Sequence, residues 1–205
     1  MINRKFWRVK KTPELNFINP TGDEHLDMDF YDAFFYRNAV NYRGPVYPNI
    51  KNLSYSWQEE ARAKADIIWS PALLSVFFCN TKTSRTLSSV LKPSCDRWKV
   101  PCGSEMLDMH IVAHELDGFD YKRSSYETDP DFKEINRINR YVLKKGFETE
   151  LDIFRLKGAG ASLRMTLIVS DRFRKVFVEN GLTGMEFISI SNVETKSFLS
   201  WVKPQ

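Results

Sequence analysis

Met165-Thr-Leu-Ile-Val-Ser-Asp-Arg-Phe-Arg-Lys-Val-Phe-Val-Glu-Asn-Gly-Leu-Thr-Gly-Met-Glu-Phe-Ile-Ser-Ile190 changes pattern three times, and those changes decide the fold class. Met165 to Val169 is an apolar run of strand length. Ser170-Asp171 then opens a helix, because a serine side chain can accept an amide N–H that the first turn leaves unpaired. Phe173, Val176, Phe177 and Asn180 follow at helical spacing, and Gly181 stands where a helix ends in a left-handed residue. Thr183-Gly184 reads as a turn, and Met185 to Ile190 as another strand.

Working outward, Leu73 to Cys79 is again apolar, Asn80 or Thr81 can cap, and Leu87, Val90 and Leu91 mark a helix face. Pro93 stops that helix, and Arg97 to Val100 alternates like a strand before Pro101. Between the two blocks, Met109 to His114 suits a strand, and Leu116 to Tyr121 a strand or extended turn. Asp131 to Lys145 carries Phe132, Ile135, Ile138, Tyr141 and Val142 at helical spacing, opened by Asp129-Pro130 and closed by Gly146. Leu151 to Leu156 reads as a strand joined to the next through Gly158-Ala-Gly160. In the N-terminal third, Phe6 to Val9 reads as a strand, while Asp29 to Ala39 and Trp57 to Ala65 read as helices. The expected class is α+β: one mixed β-sheet with helices packed on it, built around two strand–helix–strand units, plus an irregular N-terminal segment. The expected organisation is a variable segment over 1–65 and an α+β domain over 66–205.

Composition narrows the function classes. The 205 residues are 42% apolar and 27% charged, a globular mixture long enough to bury a core without a disulfide or metal staple. The longest uncharged stretch, Ile67 to Thr81, contains Pro71 and falls short of the ~20 apolar residues of a spanning helix. The basic start MINRKFWRVKK runs into polar sequence with no apolar signal region, so the expectation is a cytosolic protein. Cys79, Cys95 and Cys102 contain no C-x-x-C pair and are expected as reduced thiols.

The net charge of +4 is unevenly spread. From Glu14 to Tyr36 there are six acidic residues and no Lys or Arg, interleaved with Phe17, Phe30, Tyr31, Phe34, Phe35 and Tyr36. This is either a solvated acidic face with its aromatics turned inward or a patch that docks a basic protein partner. The partner-facing candidates are Asp23, Glu24, Asp27, Asp29, Phe30, Tyr31 and Asp32. The run lacks the glycine and spacing of an EF-hand loop.

No catalytic motif is complete. His110-x-x-x-His114-Glu115 places Glu outside the pair, unlike the His-Glu-x-x-His zinc helix. On a strand the two histidines would stand about 13 Å apart, too far for one metal. Gly158-Ala-Gly-Ala-Ser162 lacks the Lys of a phosphate loop and reads as a hairpin connection. A small hydrolase or transferase would have to use His114, Asp117 and Asp120 in a cleft. A nucleic-acid module would need Arg4-Lys5, Arg8, Lys10-Lys11 and Arg172, Arg174, Lys175 on one face.

Leu151 to Leu156, followed by Leu167 to Phe187, resembles the closing motif of immunity protein family eleven of bacterial polymorphic toxin systems. Trp98-Lys-Val-Pro101 and the stretch His110 to Tyr126, with Asp117, Asp120 and Tyr121, resemble it as well, so the likeness spans roughly residues 66 to 190. The resemblance implies a non-catalytic protein that binds and neutralises a secreted toxin, nucleases among them, without cofactor or metal. It implies structural roles for Ser170 as a cap, Gly181 and Gly184 in turns, and Phe173, Phe177 and Phe187 in the core.

Overall fold

The computed structural model describes residues 4–12, 18–20, 54–57, 65–69, 76–131, 133–158, 161–164 and 166–190. Five strands form one sheet: β1 (Phe6–Lys11), β8 (Glu115–Leu116), β11 (Ile153–Leu156), β12 (Leu167–Ser170) and β13 (Met185–Ile190), in the order β13-β1-β12-β11-β8. Six form a second: β2 (Ile18–Pro20), β3 (Tyr55–Trp57), β4 (Ile67–Trp69), β5 (Val76–Cys79), β6 (Cys95–Cys102) and β7 (Glu105–Val112), in the order β2-β3-β6-β7-β5-β4. A hairpin of β9 (Ser125–Thr128) and β10 (Ile135–Arg140) stands apart. The helices are α1 (Thr81–Thr86), α2 (Ser88–Leu91), the single turn α3 (Ala161–Arg164) and α4 (Asp171–Glu179). The class is α+β, but the one mixed sheet expected from sequence is two, each with parallel and antiparallel neighbours.

In both sheets a helix links two strands that share a direction without touching. β5 and β6 are each antiparallel to β7, which lies between them; α1 and α2 make the link. β12 and β13 are each antiparallel to β1, which lies between them; α4 makes the link. The inserted strand β7 follows β6 directly as a hairpin, whereas β1 is brought in from residues 6–11, far from β12 and β13 in the chain. The same chain stretch serves both sheets at their junction: β7 ends at Val112, and two residues later β8 pairs in parallel with β11. Arg155 holds that passage, its Nε donating to the Val112 carbonyl at 2.9 Å and its Nη1 standing 2.9 Å from the buried Glu115 carboxylate.

Strand alternation buries the five-stranded sheet on both faces. Ile153, Leu167 and Val169 turn to one side, where they meet Phe173 and Phe177 of α4, Leu87 and Leu91 of the α1–α2 pair, and Trp69 and Phe77 of the second sheet. Their neighbours Phe154 and Ile168 turn to the other side, where Phe6, Phe119, Ile135 and Ile138 complete a second cluster. The β9–β10 hairpin therefore lids the face opposite α4.

Three expectations are corrected. Asp131 to Lys145 is not a helix; Asp129-Pro130 makes the turn between β9 and β10, with the Asp131 amide on Asp129 Oδ1 at 2.9 Å. The helical spacing of Ile135 and Ile138 comes from register shifts on either side of Arg137 and Ile138, which let residues three apart face one core. Trp57 ends a strand rather than opening a helix, and residues 58–64 lie outside the described set. Between the antiparallel β11 and β12, the connection carries the helical turn α3 rather than a bare hairpin loop. The expected helix at Asp29 to Ala39 lies outside the described residues.

Candidate functional site

The residues of the motif at 165–190 occupy structural positions. Ser170 ends β12 in extended conformation, and its Oγ accepts the Phe173 amide at 3.1 Å while donating to the buried Asp152 carboxylate at 2.5 Å. Arg172 closes that network, its Nη1 3.0 Å from Asp152 and its Nη2 reaching the Ser89 carbonyl of α2. Phe173 and Phe177 are buried, and Phe187 packs against both rings. Gly181 takes φ +62° and Gly184 φ +101°, the left-handed region that favours glycine.

The turn between them clasps the two sheets together. Asp66, just before β4, accepts both the amide and the hydroxyl of Thr183 at 2.9 Å. The Ile67 amide donates to the Thr183 carbonyl at 3.0 Å, and the Trp69 indole to the Gly184 carbonyl at 2.8 Å. A Cβ on Gly184 would stand 2.2 Å from the Ile67 carbonyl oxygen. The run Gly181-Leu-Thr-Gly184 is thus a docking turn for β4.

The acidic candidates Asp23, Glu24, Asp27, Asp29, Phe30, Tyr31 and Asp32 lie outside the described residues. The three groups of the hydrolase alternative are described, and each has its own surroundings. Asp117 pairs with Lys144 at 2.6 Å and is largely exposed. Asp120 pairs with Arg123 at 2.7 Å and accepts the Lys122 and Arg123 amides, bonds that hold its carboxyl below the usual range. His114 offers its carbonyl to the Arg155 amide and lies near Asp96. Among the described residues no group of three or more His, Cys, Asp or Glu is placed to hold a metal.

His110 is buried rather than poised. Its ring stacks on Phe77 at 5.1 Å, Nε2 lies 3.1 Å from Ser84 Oγ, and burial pulls its pKa down to about 4. Ser84 is itself buried, so the pair faces the interior between α1 and the six-stranded sheet. Cys79, Cys95 and Cys102 are all free thiols, and burial with the nearby Asp108 charge pushes Cys79 up to about 12, far from a nucleophile's range.

The first basic stretch is divided between the two faces of the five-stranded sheet, Lys11 lying over the Trp69 ring at 4.8 Å on the side of α4. Alternation along β1 sends Arg8 and Lys10 to the hairpin side with Phe6, while Trp7 faces α4, where Arg174 stacks on it at 4.3 Å. Much of this charge is paired internally: Lys10 with Glu186, Arg172 with Asp152, Lys175 with Asp171.

A shallow pocket of ≈ 130 Å³ opens on the hairpin side, between Arg8 of β1, Asn139 to Tyr141 at the end of β10, and Ile188 to Ile190 of β13. Arg8 stacks over the Tyr141 ring at 5.0 Å, and Tyr141 is anchored by its hydroxyl, 2.8 Å from Thr166 Oγ1. The sequence reading names Arg8 and Tyr141 but does not join them, because positions 8, 140 and 188 meet only through the sheet. The local signal was Arg8 between the apolar Trp7 and Val9 of β1.

Taken together, fold and surface define an α+β protein whose most regular motif is architectural. Residues 109–192 match the model of the immunity protein family (Imm11), in agreement with the likeness seen in the sequence. That span runs from the centre of β7 past the end of β13, and so contains the junction of the sheets, the hairpin and the docking turn. No curated protein matches the chain.

Proposed function

We propose that this chain is an immunity protein that binds a cognate secreted bacterial toxin and neutralises it by protein–protein occlusion. The family match over residues 109–192 carries this reading. The separate surroundings of His114, Asp117 and Asp120 support a binding protein over a hydrolase. The toxin is a domain encoded beside this chain, of the nuclease class, acting in the cytoplasm of the producing cell and its kin, where this chain meets it. Among the described residues no helix is long and apolar enough to cross a membrane.

A useful complex needs nanomolar affinity or better, about −12 kcal/mol. A few aromatic and arginine anchors supply most of such a figure, and opposite charge speeds the encounter. The acidic segment Asp23 to Asp32, with Phe30 and Tyr31, is the partner-facing stretch for a basic toxin surface. The experiment is co-expression. The product of the adjacent upstream gene should be lethal alone and harmless beside this chain; continued killing in the presence of folded chain refutes the reading.

A further inference from the structure

We propose that the pocket between β1, β10 and β13 is a second contact for the toxin and takes an acidic side chain flanked by an aliphatic one. The inference rests on the immunity reading, but not on the acidic segment.

Two guanidinium groups line the pocket without an ion pair to any of the described residues. Arg8 lies over the Tyr141 ring, and among the described residues no carboxylate is paired with it. Arg140 donates through Nη2 to the Arg123 carbonyl at 2.6 Å, while its Nε, fully enclosed, has no hydrogen-bond partner. Among the described residues no Asp or Glu lines the pocket; Glu186, two residues before Ile188 on β13, is already held by Lys10 at 3.0 Å. The local sign among the described residues is therefore positive, the reverse of the acidic segment.

Beside the charges stands an apolar contact. Ile188 is opposite Arg8 in the β1–β13 register and is 39% exposed, although it lies on the sheet face that elsewhere carries the core. An exposed aliphatic residue, a tyrosine ring and two arginines in one concavity have the composition of an interface hot spot. Each arginine is also held before the partner arrives, one by the ring and one by a backbone carbonyl, which reduces the ordering cost of binding. A planar guanidinium binds a carboxylate through two parallel N–H···O bonds, so the chemistry that fits is Asp or Glu rather than a neutral residue.

The test measures binding of the purified full-length chain to the C-terminal domain encoded by the adjacent upstream gene. Arg8→Glu and Ile188→Asp are each expected to weaken the complex at least about tenfold, with a steeper salt dependence in the wild type than in Arg8→Glu. Lys145→Glu, an exposed charge outside the pocket, is expected to stay within about threefold. Melting midpoints separate lost contact from lost fold, and Ile188→Asp, at an exposed position, keeps the test valid if Arg8→Glu unfolds. Restoration of Arg8→Glu binding by an Asp/Glu→Arg change on the toxin would identify the carboxylate. Wild-type affinity in both pocket variants, with tight binding of the unaltered chain, overturns the pocket and leaves the immunity reading intact. Absence of any binding by the unaltered chain overturns both.

Discussion

At the scale of single residues, the two glycines of the docking turn separate conformational need from steric need. Both have positive φ, but only Gly184 has a neighbour where a Cβ would go, 2.2 Å from backbone oxygen. Gly181→Ala should cost about 1 kcal/mol through backbone strain alone. Gly184→Ala should cost about 3 kcal/mol or more, because β4 must move off the turn. Urea unfolding of the two variants checks the ranking; equal losses would mean that the clasp contributes nothing. His110 makes a different demand. Burial holds its pKa at about 4 against an ordinary 6.5, despite the opposing pull of Asp108, with Arg97 also facing the ring. Between those values the unfolded chain binds a proton that the folded chain refuses, so stability falls as pH drops from about 6.5 to 4. The slope approaches about 1.4 kcal/mol per pH unit, roughly 3 kcal/mol over the window. In His110→Gln this loss should be absent, as measured by denaturation at pH 7 and pH 4.5. Neither role was legible from sequence. Gly184 was visible as a turn residue and His110 as a strand residue, but their neighbours lie far away in the chain.

At the scale of elements, local signals were legible where one strong determinant acts. Asn80 caps α1 by accepting the Thr83 amide at 2.9 Å, and Ser170 caps α4, both as their residue types predict. The caps differ in what lies behind them, and the difference is testable. Aspartate normally substitutes well at a cap, so Asn80→Asp should be close to neutral. Ser170→Asp should destabilise by about 2 kcal/mol or more, because Asp152, buried, would lose a hydroxyl donor and gain a like charge. Thermal melts of the pair decide it; a benign Ser170→Asp would mean that the Ser170–Asp152 bond adds nothing to the cap. The hairpin of β9 and β10 shows the opposite case. Ile135, Ile138, Tyr141 and Val142 mimic a helix stripe, and only the bulges, which depend on the partner strand, reveal a β-ribbon. Periodicity reports which residues share a face, and a bulged strand and a helix can satisfy the same list. The clasp built by Asp66 on Thr183 was hidden for a related reason: 117 positions separate its partners.

At the scale of the whole molecule, the α+β class was legible because it depends on element types, whereas the division into two sheets depends on pairings between distant strands. The N-terminal strand is the clearest example. Phe6 to Val9 reads as a strand in isolation, yet nothing local says that β1 fills the gap between β12 and β13. A fragment of residues 66–205 lacks β1, β2 and β3, and so loses Phe6 from one core cluster and the packing of Trp7 and Val9 on the other. It is expected to give no cooperative thermal transition by circular dichroism, whereas addition of a peptide covering residues 1–12 should restore one in part. A sharp transition in the fragment alone would establish 66–205 as an independent domain. The same pairing has a consequence for biosynthesis. On the ribosome β1 must wait, its pairing incomplete, until its last partner, ending at Ile190, has been made. At ordinary elongation rates that delay is on the order of ten seconds. Under the immunity reading, a nascent chain offers its cell no protection during the interval, and a stock of finished molecules has to be in place before the toxin arrives.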